Sequence, residues 1–339
     1  MKKINLVQTG GTIAMDIGGG RPELNADRWT ELLHTQIPEL SQLAEIHVDK
    51  LFFEDSSDIN AGHWTMLIKH LSEHLDDYDG FVVLHGTDTM AYSASAVSFG
   101  LRNPGKPIIF TGSQVPLRKL RSDARRNLVN AVELAAGPCR EVSICFNDHL
   151  YRANRATKMS IGDFDAFDSP NFPPLARIGL DIDYHLPESG AGPRQLCTKF
   201  GDQLILLKLY PNLRPERIEA LITDGLQVVI LEAFGSGNFP MRGEYNLLPL
   251  IRRCRNSGIQ IVITSQAPYD SVDLDLYESG RAALEAGAVS AGDMTAEAAL
   301  TKSMHLLGKG VADERFKTQF EANLAGERTA PPEPESSRP

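Results

Sequence analysis

Short continuous apolar runs recur along the chain, and stretches with helical spacing of their apolar residues separate them. Such runs are typical of strands in a parallel sheet, where both faces are buried. They predict strands at residues 4–7, 81–84, 108–110, 142–146, 204–207, 228–231 and 261–264. The intervening stretches predict helices at residues 28–33, 64–75, 91–101, 123–135, 215–222, 247–255 and 295–307. This alternation predicts an α/β fold.

A change in composition divides these elements into two sets. Residues 186–195 combine Gly, Pro and Ser, as linkers do. We therefore predict a larger N-terminal domain at residues 1–185, with a mostly parallel sheet and flanking helices. A linker at residues 186–203 leads to a smaller C-terminal parallel-sheet domain at residues 204–325. The remaining residues, 326–339, are rich in Pro, Glu and Ser, which predicts a disordered tail.

The charge balance narrows the range of partners. The 339 residues carry a net charge of −10, which argues against nucleic acid or an anionic membrane surface as the main partner. No run approaches the ~18 apolar residues of a membrane helix, and no secretion signal follows Met1, so a cytoplasmic protein is expected. The four cysteines lack metal-binding spacing, and no metal or organic cofactor is expected.

Three predicted strands end in polar loops. These loops contain the strings TGGTIA at residues 9–14, HGTDTM at 85–90 and TGSQ at 111–114. The carboxyl ends of parallel strands meet at one edge of a sheet, where α/β proteins build their sites. Threonine hydroxyls beside glycine at two such ends suggest threonine nucleophiles.

Each of these loops also has a purely structural interpretation. Thr12 can order a tight turn beside two glycines, and a nucleotide loop is a weaker alternative because the full GxGxxG pattern is missing. Asp88 and Thr89 can simply cap the following helix. The expected convergence of three polar loops at one edge is what favours a site.

Two further segments carry candidate chemistry. Lys158 follows the fourth predicted strand, and a desolvated lysine near a carboxylate can act as a general base for a hydroxyl. Its alternative is a solvated surface charge. The string DSSD at residues 55–58 can bind a polar ligand or cap the helix predicted at residue 64.

Together these segments resemble the bacterial-type L-asparaginases, the asparaginase/glutaminase family. The matching strings are TGGTIA at residues 9–14, DSSD at 55–58, LHGTDTMAYSASA at 84–96, TGSQVPL at 111–117, YRANRATK at 151–158, FDAFDSPNFPPL at 164–175, FGSGN at 234–238, TSQ at 264–266 and DMTAEAALTK at 293–302. The resemblance extends to about residue 307. DSSD, YRANRATK and the lack of a secretion signal favour the cytoplasmic type I branch.

The resemblance implies specific catalytic roles. Thr12 corresponds to the primary nucleophile, on a loop that closes over the substrate. Thr87, Asp88 and Lys158 correspond to a second, rigid triad. The implied reaction is hydrolysis of L-asparagine to L-aspartate and ammonia through an acyl-enzyme, without a cofactor.

The resemblance also implies substrate contacts and an assembly. Asp55 and Ser56 correspond to residues that hold the α-carboxylate and α-amino group of the substrate, with Asp88 assisting at the amino group. Ser113 lies in the loop that faces the side-chain amide. The family forms dimers, usually paired as tetramers, and Asn238 is expected to reach the site of a partner subunit.

Two other functions stay open at this point. The amidase subunit of a tRNA-dependent amidotransferase shares TGGTI and HGTDT, although we expect it to carry an extra N-terminal domain and an RNA-binding partner. A noncatalytic amino-acid sensor would use the same pocket. The intact threonines, Asp88 and Lys158 argue against a sensor. The tyrosine that the family usually carries after TGGTI is absent from residues 15–22, which favours a sensor slightly.

Overall fold

The computed structural model describes residues 1–14, 33, 35–187 and 192–329. These residues form two compact units, Met1–Phe200 and Gly201–Pro339. The helix predicted at residues 28–33 lies outside the described residues, except for Leu33, and so do residues 15–22, from which the family's tyrosine is absent. Within the described part of the chain, no helix is long and apolar enough to cross a membrane.

The first unit contains twelve described strands and four described α-helices. The strands are β1 (Lys3–Gly10), β2 (Glu45–Glu54), β3 (Gly80–Leu84), β4 (Leu101–Arg102), β5 (Ile108–Thr111), β6 (Val142–Phe146), β7 (His149–Arg152), β8 (Thr157–Lys158), β9 (Phe167–Asp168), β10 (Ala176–Ile178), β11 (Ile182–Tyr184) and β12 (Gln195–Leu196). The helices are α1 (Leu40–Leu43), α2 (Ala61–His74), α3 (Met90–Gly100) and α4 (Ala124–Ala135).

Eight of these strands form one sheet in the order β11-β10-β7-β6-β5-β3-β1-β2. Strands β2, β1, β3, β5 and β6 run parallel, whereas β7, β10 and β11 continue the sheet antiparallel. Every residue of β3, β5 and β6 is buried, as continuous apolar runs predict. Helix α3, in which all residues except Tyr92 are buried, packs inside this unit.

The second unit is a smaller parallel sheet with helices. Its strands, in spatial as well as chain order, are β13 (Leu204–Lys208), β14 (Val228–Ala233), β15 (Gln260–Ser265) and β16 (Val289–Ser290). Its helices are α5 (Pro215–Glu219), α6 (Leu248–Asn256), α7 (Glu278–Glu285), α8 (Ala296–Gly308) and α9 (Arg315–Glu321). The predicted fold class, a mostly parallel sheet followed by a smaller parallel sheet, is confirmed.

The segment predicted as a linker includes paired backbone. Strand β12 pairs antiparallel with β4, and the Cys197 amide donates to the Gly100 carbonyl at 2.7 Å. Residues up to Phe200 therefore belong to the first compact unit.

The chain also stays folded beyond the predicted start of the tail at residue 326. The Glu327 side chain is fully buried against Lys302 of α8, and the Thr329 amide donates to Asp293 at 2.9 Å. Residues 326–329 therefore contact the rest of the second unit, and disorder of the tail stays a prediction. Residues 330–339 lie outside the described part of the chain.

Candidate active site

The loops after the parallel strands meet at one edge of the large sheet. The Thr9 hydroxyl, near the end of β1, donates to the Leu84 carbonyl at 2.7 Å, and the His85 amide donates to the Thr111 carbonyl at 2.9 Å. Gly11 has a φ of +85°, and a Cβ on it would lie 2.5 Å from the Gly86 amide nitrogen. Backbone therefore contacts backbone directly where the candidate site begins.

Three of the predicted site residues form one group. The Lys158 ammonium group lies 2.8 Å from the Thr87 hydroxyl oxygen and 2.5 Å from an Asp88 carboxylate oxygen. An ammonium group only donates, so the Thr87 oxygen accepts from it. The Lys158 side chain is 15% exposed and that of Asp88 is 65% exposed. The group therefore joins a shielded hydroxyl and amine to a carboxylate that solutes can reach.

A short hairpin fixes the backbone of Lys158. Strand β8 pairs with β9, with Lys158 opposite Phe167, and the Met159 amide donates to the Ala166 carbonyl at 2.8 Å. The Phe167 ring is buried 5.0 Å from that of Phe146 in β6. This packing anchors the lysine to the sheet that carries Thr87.

The DSSD segment forms a short 3₁₀ turn, Ser56–Asp58, after β2. The Asp55 carboxylate begins this turn by accepting from the Ser57 hydroxyl at 2.6 Å and the Ser57 amide at 2.9 Å. These hydrogen bonds lower the pKa of Asp55, which favours its anionic form. Asn60, and not a residue of DSSD, caps helix α2.

Ser56 is buried, and its carbonyl accepts from the Thr89 hydroxyl at 2.6 Å. The alternative in which Thr89 caps its own helix through its side chain is wrong, since no side-chain cap bond forms at α3. The hydroxyl instead joins the loop after β3 to the loop after β2.

The other predicted site residues are placed as follows. Thr12 lies half-buried in the 3₁₀ turn Thr12–Ala14, directly after β1. Ser113 is buried, and its hydroxyl donates to the Val115 carbonyl of its own loop at 2.8 Å. Asn238 belongs to the second unit, where it exchanges backbone hydrogen bonds with Phe234 and accepts from the Ser279 hydroxyl at 2.8 Å.

Sequence reasoning overlooked the histidine of the HGTDTM string. His85 is buried and lies 2.7 Å from the Gly86 carbonyl through Nδ1 and 2.8 Å from the Ser93 hydroxyl through Nε2. A carbonyl only accepts, so Nδ1 carries the proton and Nε2 accepts from Ser93, which in turn accepts from Trp64 at 2.9 Å. Burial lowers the pKa of His85 to about 4. A neutral histidine therefore supports the turn that carries Thr87.

Gln114 is the second overlooked residue, although its TGSQ loop was recognised. Its side-chain oxygen lies 3.1 Å from the Thr87 hydroxyl, which donates to it.

Among the described residues, no group of three or more His, Cys, Asp and Glu could hold a metal ion. The site combines the Thr87 hydroxyl, the Lys158 amine and the Asp88 carboxylate, and such a set of groups suits acyl transfer.

Comparison with known proteins decides the family. The model of the asparaginase N-terminal domain matches residues 3–189, and the model of the glutaminase/asparaginase C-terminal domain matches residues 203–320. The chain belongs to the asparaginase family. It is therefore an amidohydrolase, and the resemblance seen in its motifs is confirmed.

Individual relatives of this asparaginase-family chain match over almost its whole length. L-asparaginase 1 of Escherichia coli strain K12 is 37% identical over 97% of this chain and 98% of its own. The structure of the thermostable L-asparaginase from Thermococcus kodakarensis superimposes with a TM-score of 0.89, at 36% identity, covering 97% of this chain and 100% of that chain. One subunit of the glutamyl-tRNA(Gln) amidotransferase of Aeropyrum pernix is 35% identical over 96% of this chain and 79% of its own.

Proposed function

We propose that this asparaginase-family protein hydrolyses L-asparagine to L-aspartate and ammonia. The observation that carries the proposal is the Thr87 hydroxyl held 2.8 Å from the Lys158 amine, beside the accessible Asp88 carboxylate. The similarity to L-asparaginase 1 of Escherichia coli over nearly the full length of both chains supports the same substrate.

In the proposed reaction, the Thr12 oxygen attacks the side-chain amide carbon of asparagine. Backbone N–H groups of the strand-end loops stabilise the oxyanion. The C–N bond breaks, the leaving nitrogen takes a proton, and ammonia departs from an acyl-enzyme ester. Water then adds to the ester carbon and returns a proton to the Thr12 oxygen. Lys158 and Thr87 transfer these protons.

We propose that acidic and hydroxyl groups hold the amino-acid part of the substrate. The anionic Asp55 and the exposed carboxylate of Asp88 suit an ammonium group. Ser56 contributes to the same contacts, and Ser113 faces the side-chain amide. Asparagine and glutamine differ by one methylene, which is worth only ~1–3 kcal/mol of discrimination.

We further propose a dimer, or a tetramer built from two dimers, in which Asn238 reaches the site of a partner subunit. The family resemblance supports this assembly. Light scattering on the purified protein measures the oligomeric state directly, and Asn238→Ala should raise KM if the side chain reaches the substrate. A monomer with full activity contradicts the proposal.

The test of the function is ammonia release from L-asparagine by the purified chain, compared with its Thr87→Val variant. Valine keeps the side-chain shape and removes the hydroxyl, so turnover should fall at least ~10³-fold while asparagine still binds. Thr223→Val, at an exposed position, is the matched control. Turnover of Thr87→Val within about tenfold of the unmodified chain contradicts the role of the hydroxyl.

A second candidate is the amidase subunit of a tRNA-dependent amidotransferase. The 35% identity to the Aeropyrum pernix protein over 96% of this chain favours it specifically. The same assay separates the two functions. Ammonia release from free asparagine by the chain alone supports the asparaginase, whereas release only with a partner subunit and aminoacyl-tRNA supports the amidotransferase. Asparagine binding without ammonia release under any condition points to the sensor.

A further inference from the structure

Gln114 lies between the Thr87 hydroxyl and the tip of the β8–β9 hairpin. Its side-chain oxygen is 3.1 Å from the Thr87 hydroxyl, and its side-chain nitrogen is 3.3 Å from the Ser160 carbonyl and 3.2 Å from the Asp163 carbonyl. One side-chain amide thus joins the Thr87 hydroxyl to the loop that follows Lys158.

The orientation of this amide follows from its partners. The two hairpin carbonyls only accept, so the NH₂ end of Gln114 must face them. The reverse orientation would direct the amide oxygen at two carbonyl oxygens. The oxygen of Gln114 therefore faces Thr87, and the Thr87 hydroxyl must be the donor in that contact.

The backbone of Gln114 is fixed as well. Its amide donates to one oxygen of the Asp123 carboxylate at 3.0 Å, and the Val115 amide donates to the other oxygen at 3.0 Å. Asp123 is buried and also accepts from the Asn127 side chain at 3.0 Å. The acceptor that faces Thr87 is thus held from both its side chain and its main chain.

We propose that Gln114 is a positioning residue that sets the direction of the Thr87 hydroxyl. The side-chain oxygen of Gln114 accepts a hydrogen bond from the Thr87 hydroxyl, and the lone pairs of the hydroxyl oxygen are left to accept from Lys158. The hydroxyl can pass its proton to Lys158 only when it turns away from Gln114. The amide thereby holds the hydroxyl in one rotamer between proton transfers. This role rests on the proposed asparaginase function.

The test is the Gln114→Met variant, which keeps the length of the side chain and removes both the acceptor and the donors. We expect kcat for ammonia release to fall about 10- to 100-fold, as for a displaced catalytic group, while KM changes less than about threefold. Gln42→Met, at an exposed position in α1, is the matched control. A kcat of Gln114→Met within about threefold of the unmodified chain overturns the role.

Two further readouts separate positioning from a general structural role. When Thr87 is already replaced by valine, adding Gln114→Met should lower kcat no further, because the hydroxyl that Gln114 positions is gone. Equal losses in the two backgrounds overturn the proposal. In Gln114→Glu, the ionised side chain cannot donate to the hairpin carbonyls, whereas the protonated side chain can. Its kcat relative to the unmodified chain should therefore rise as the pH falls, and a constant ratio overturns the proposal.

These outcomes are distinct from failure of the proposed function. If the unmodified chain releases no ammonia from asparagine, the asparaginase assignment fails. If it does release ammonia, and Gln114→Met is equally active and folded, only the positioning role fails. Thermal unfolding of each variant identifies a folding defect, and Gln114→Glu then carries the test, since its side chain has nearly the same shape.

Discussion

Each unit contains a lysine whose ammonium group contacts a carboxylate, but the two pairs have opposite surroundings. In the first unit, Lys158 lies 2.5 Å from Asp88, with side-chain exposures of 15% and 65%. In the second unit, Lys302 of α8 contacts Glu327, and both side chains are completely buried. The two pairs share their chemistry and differ in access to solvent.

Further hydrogen bonds surround the buried pair. Lys302 also donates to the Ala322 carbonyl at 2.6 Å, and Glu327 accepts from the amides of Leu324 at 2.9 Å and Ala325 at 2.6 Å. Burying each ion costs several kcal/mol unless such bonds compensate. The pair therefore ties the chain after α9 to α8, a structural role.

The contrast shows that a short lysine–carboxylate contact does not by itself indicate catalysis. At Lys158 the carboxylate is open to solutes, and a hydroxyl lies within 2.8 Å of the amine. Lys302 contacts a backbone carbonyl, the Phe320 ring and the buried carboxylate. Access to solutes and a neighbouring threonine hydroxyl distinguish the candidate catalytic lysine.

The largest expected effect comes from Lys158→Met. Methionine keeps much of the apolar stem and removes the amine, so ammonia release should fall at least ~10³-fold. Stability should change by no more than ~1 kcal/mol, because the Asp88 carboxylate that remains is 65% exposed and stays hydrated. Turnover and urea unfolding measure the two effects, and Lys69→Met at an exposed position of α2 is the control. If Lys158→Met keeps its activity, Lys158 is not a catalytic lysine and the contrast with Lys302 does not hold.

Lys302→Met should give the reverse pattern. Removing the lysine leaves Glu327 buried without its counter-ion, which typically costs ~3–5 kcal/mol of unfolding free energy. Turnover per folded molecule should stay close to that of the unmodified chain. Adding Glu327→Met should recover part of the loss, because no charge is then left unpaired. A stable but inactive Lys302→Met variant would show that the buried pair serves the site.

Lowering the pH should lower the unfolding free energy of the first unit, because His85 is buried in its neutral form. Its pKa is about 4 when folded against 6.5 when exposed, so the unfolded chain takes up a proton that the folded chain does not. The stabilisation is present above pH 6.5 and is lost as the pH falls towards about 4, by up to ~3 kcal/mol. Urea unfolding of the unmodified chain and of His85→Gln should diverge over that range. His185→Gln, at an exposed position, is the control, and parallel pH curves would contradict the prediction.

The smallest expected effects are those of valine variants at two threonines that precede helices. Thr89 donates to the Ser56 carbonyl across the candidate site, whereas Thr295 accepts from the Ala298 amide and caps α8. Each valine variant should lose ~1 kcal/mol of stability. Only Thr89→Val should also raise KM for asparagine, since it releases the loop that carries Asp55 and Ser56. Equal KM values for the two variants would mean that the Thr89 bond does not order the binding loop.

Much of the large sheet can be predicted from the sequence because its central strands are buried on both faces. β3, β5 and β6 are short, mostly apolar runs, and this pattern predicts each of them to within one residue at each end. The same pattern misses β2, an edge strand whose polar residues, including Glu45 and His47, alternate with apolar ones. Only its last apolar residues, just before DSSD, stand out in the sequence.

The side chains that depend on distant partners could not be predicted. Glu327 lies in a stretch whose composition indicates disorder, and its burial is decided by Lys302, which is 25 positions away. Gln114 is chemically unremarkable in sequence, and its importance arises only because the hairpin after Lys158 brings two carbonyls to its amide. The burial of Glu327 and the contacts of Gln114 are both set by long-range packing and not by the local sequence pattern.

The close approach of backbones at the sheet edge has a consequence for protein engineering. A Cβ on Gly11 would lie 2.5 Å from the Gly86 nitrogen, and a Cβ on Gly112 would lie 2.3 Å from the His85 carbonyl oxygen. The atoms that would clash with these Cβ atoms belong to the main chain, so no second substitution can remove them. Libraries that seek a new amide substrate should therefore keep these two glycine codons fixed.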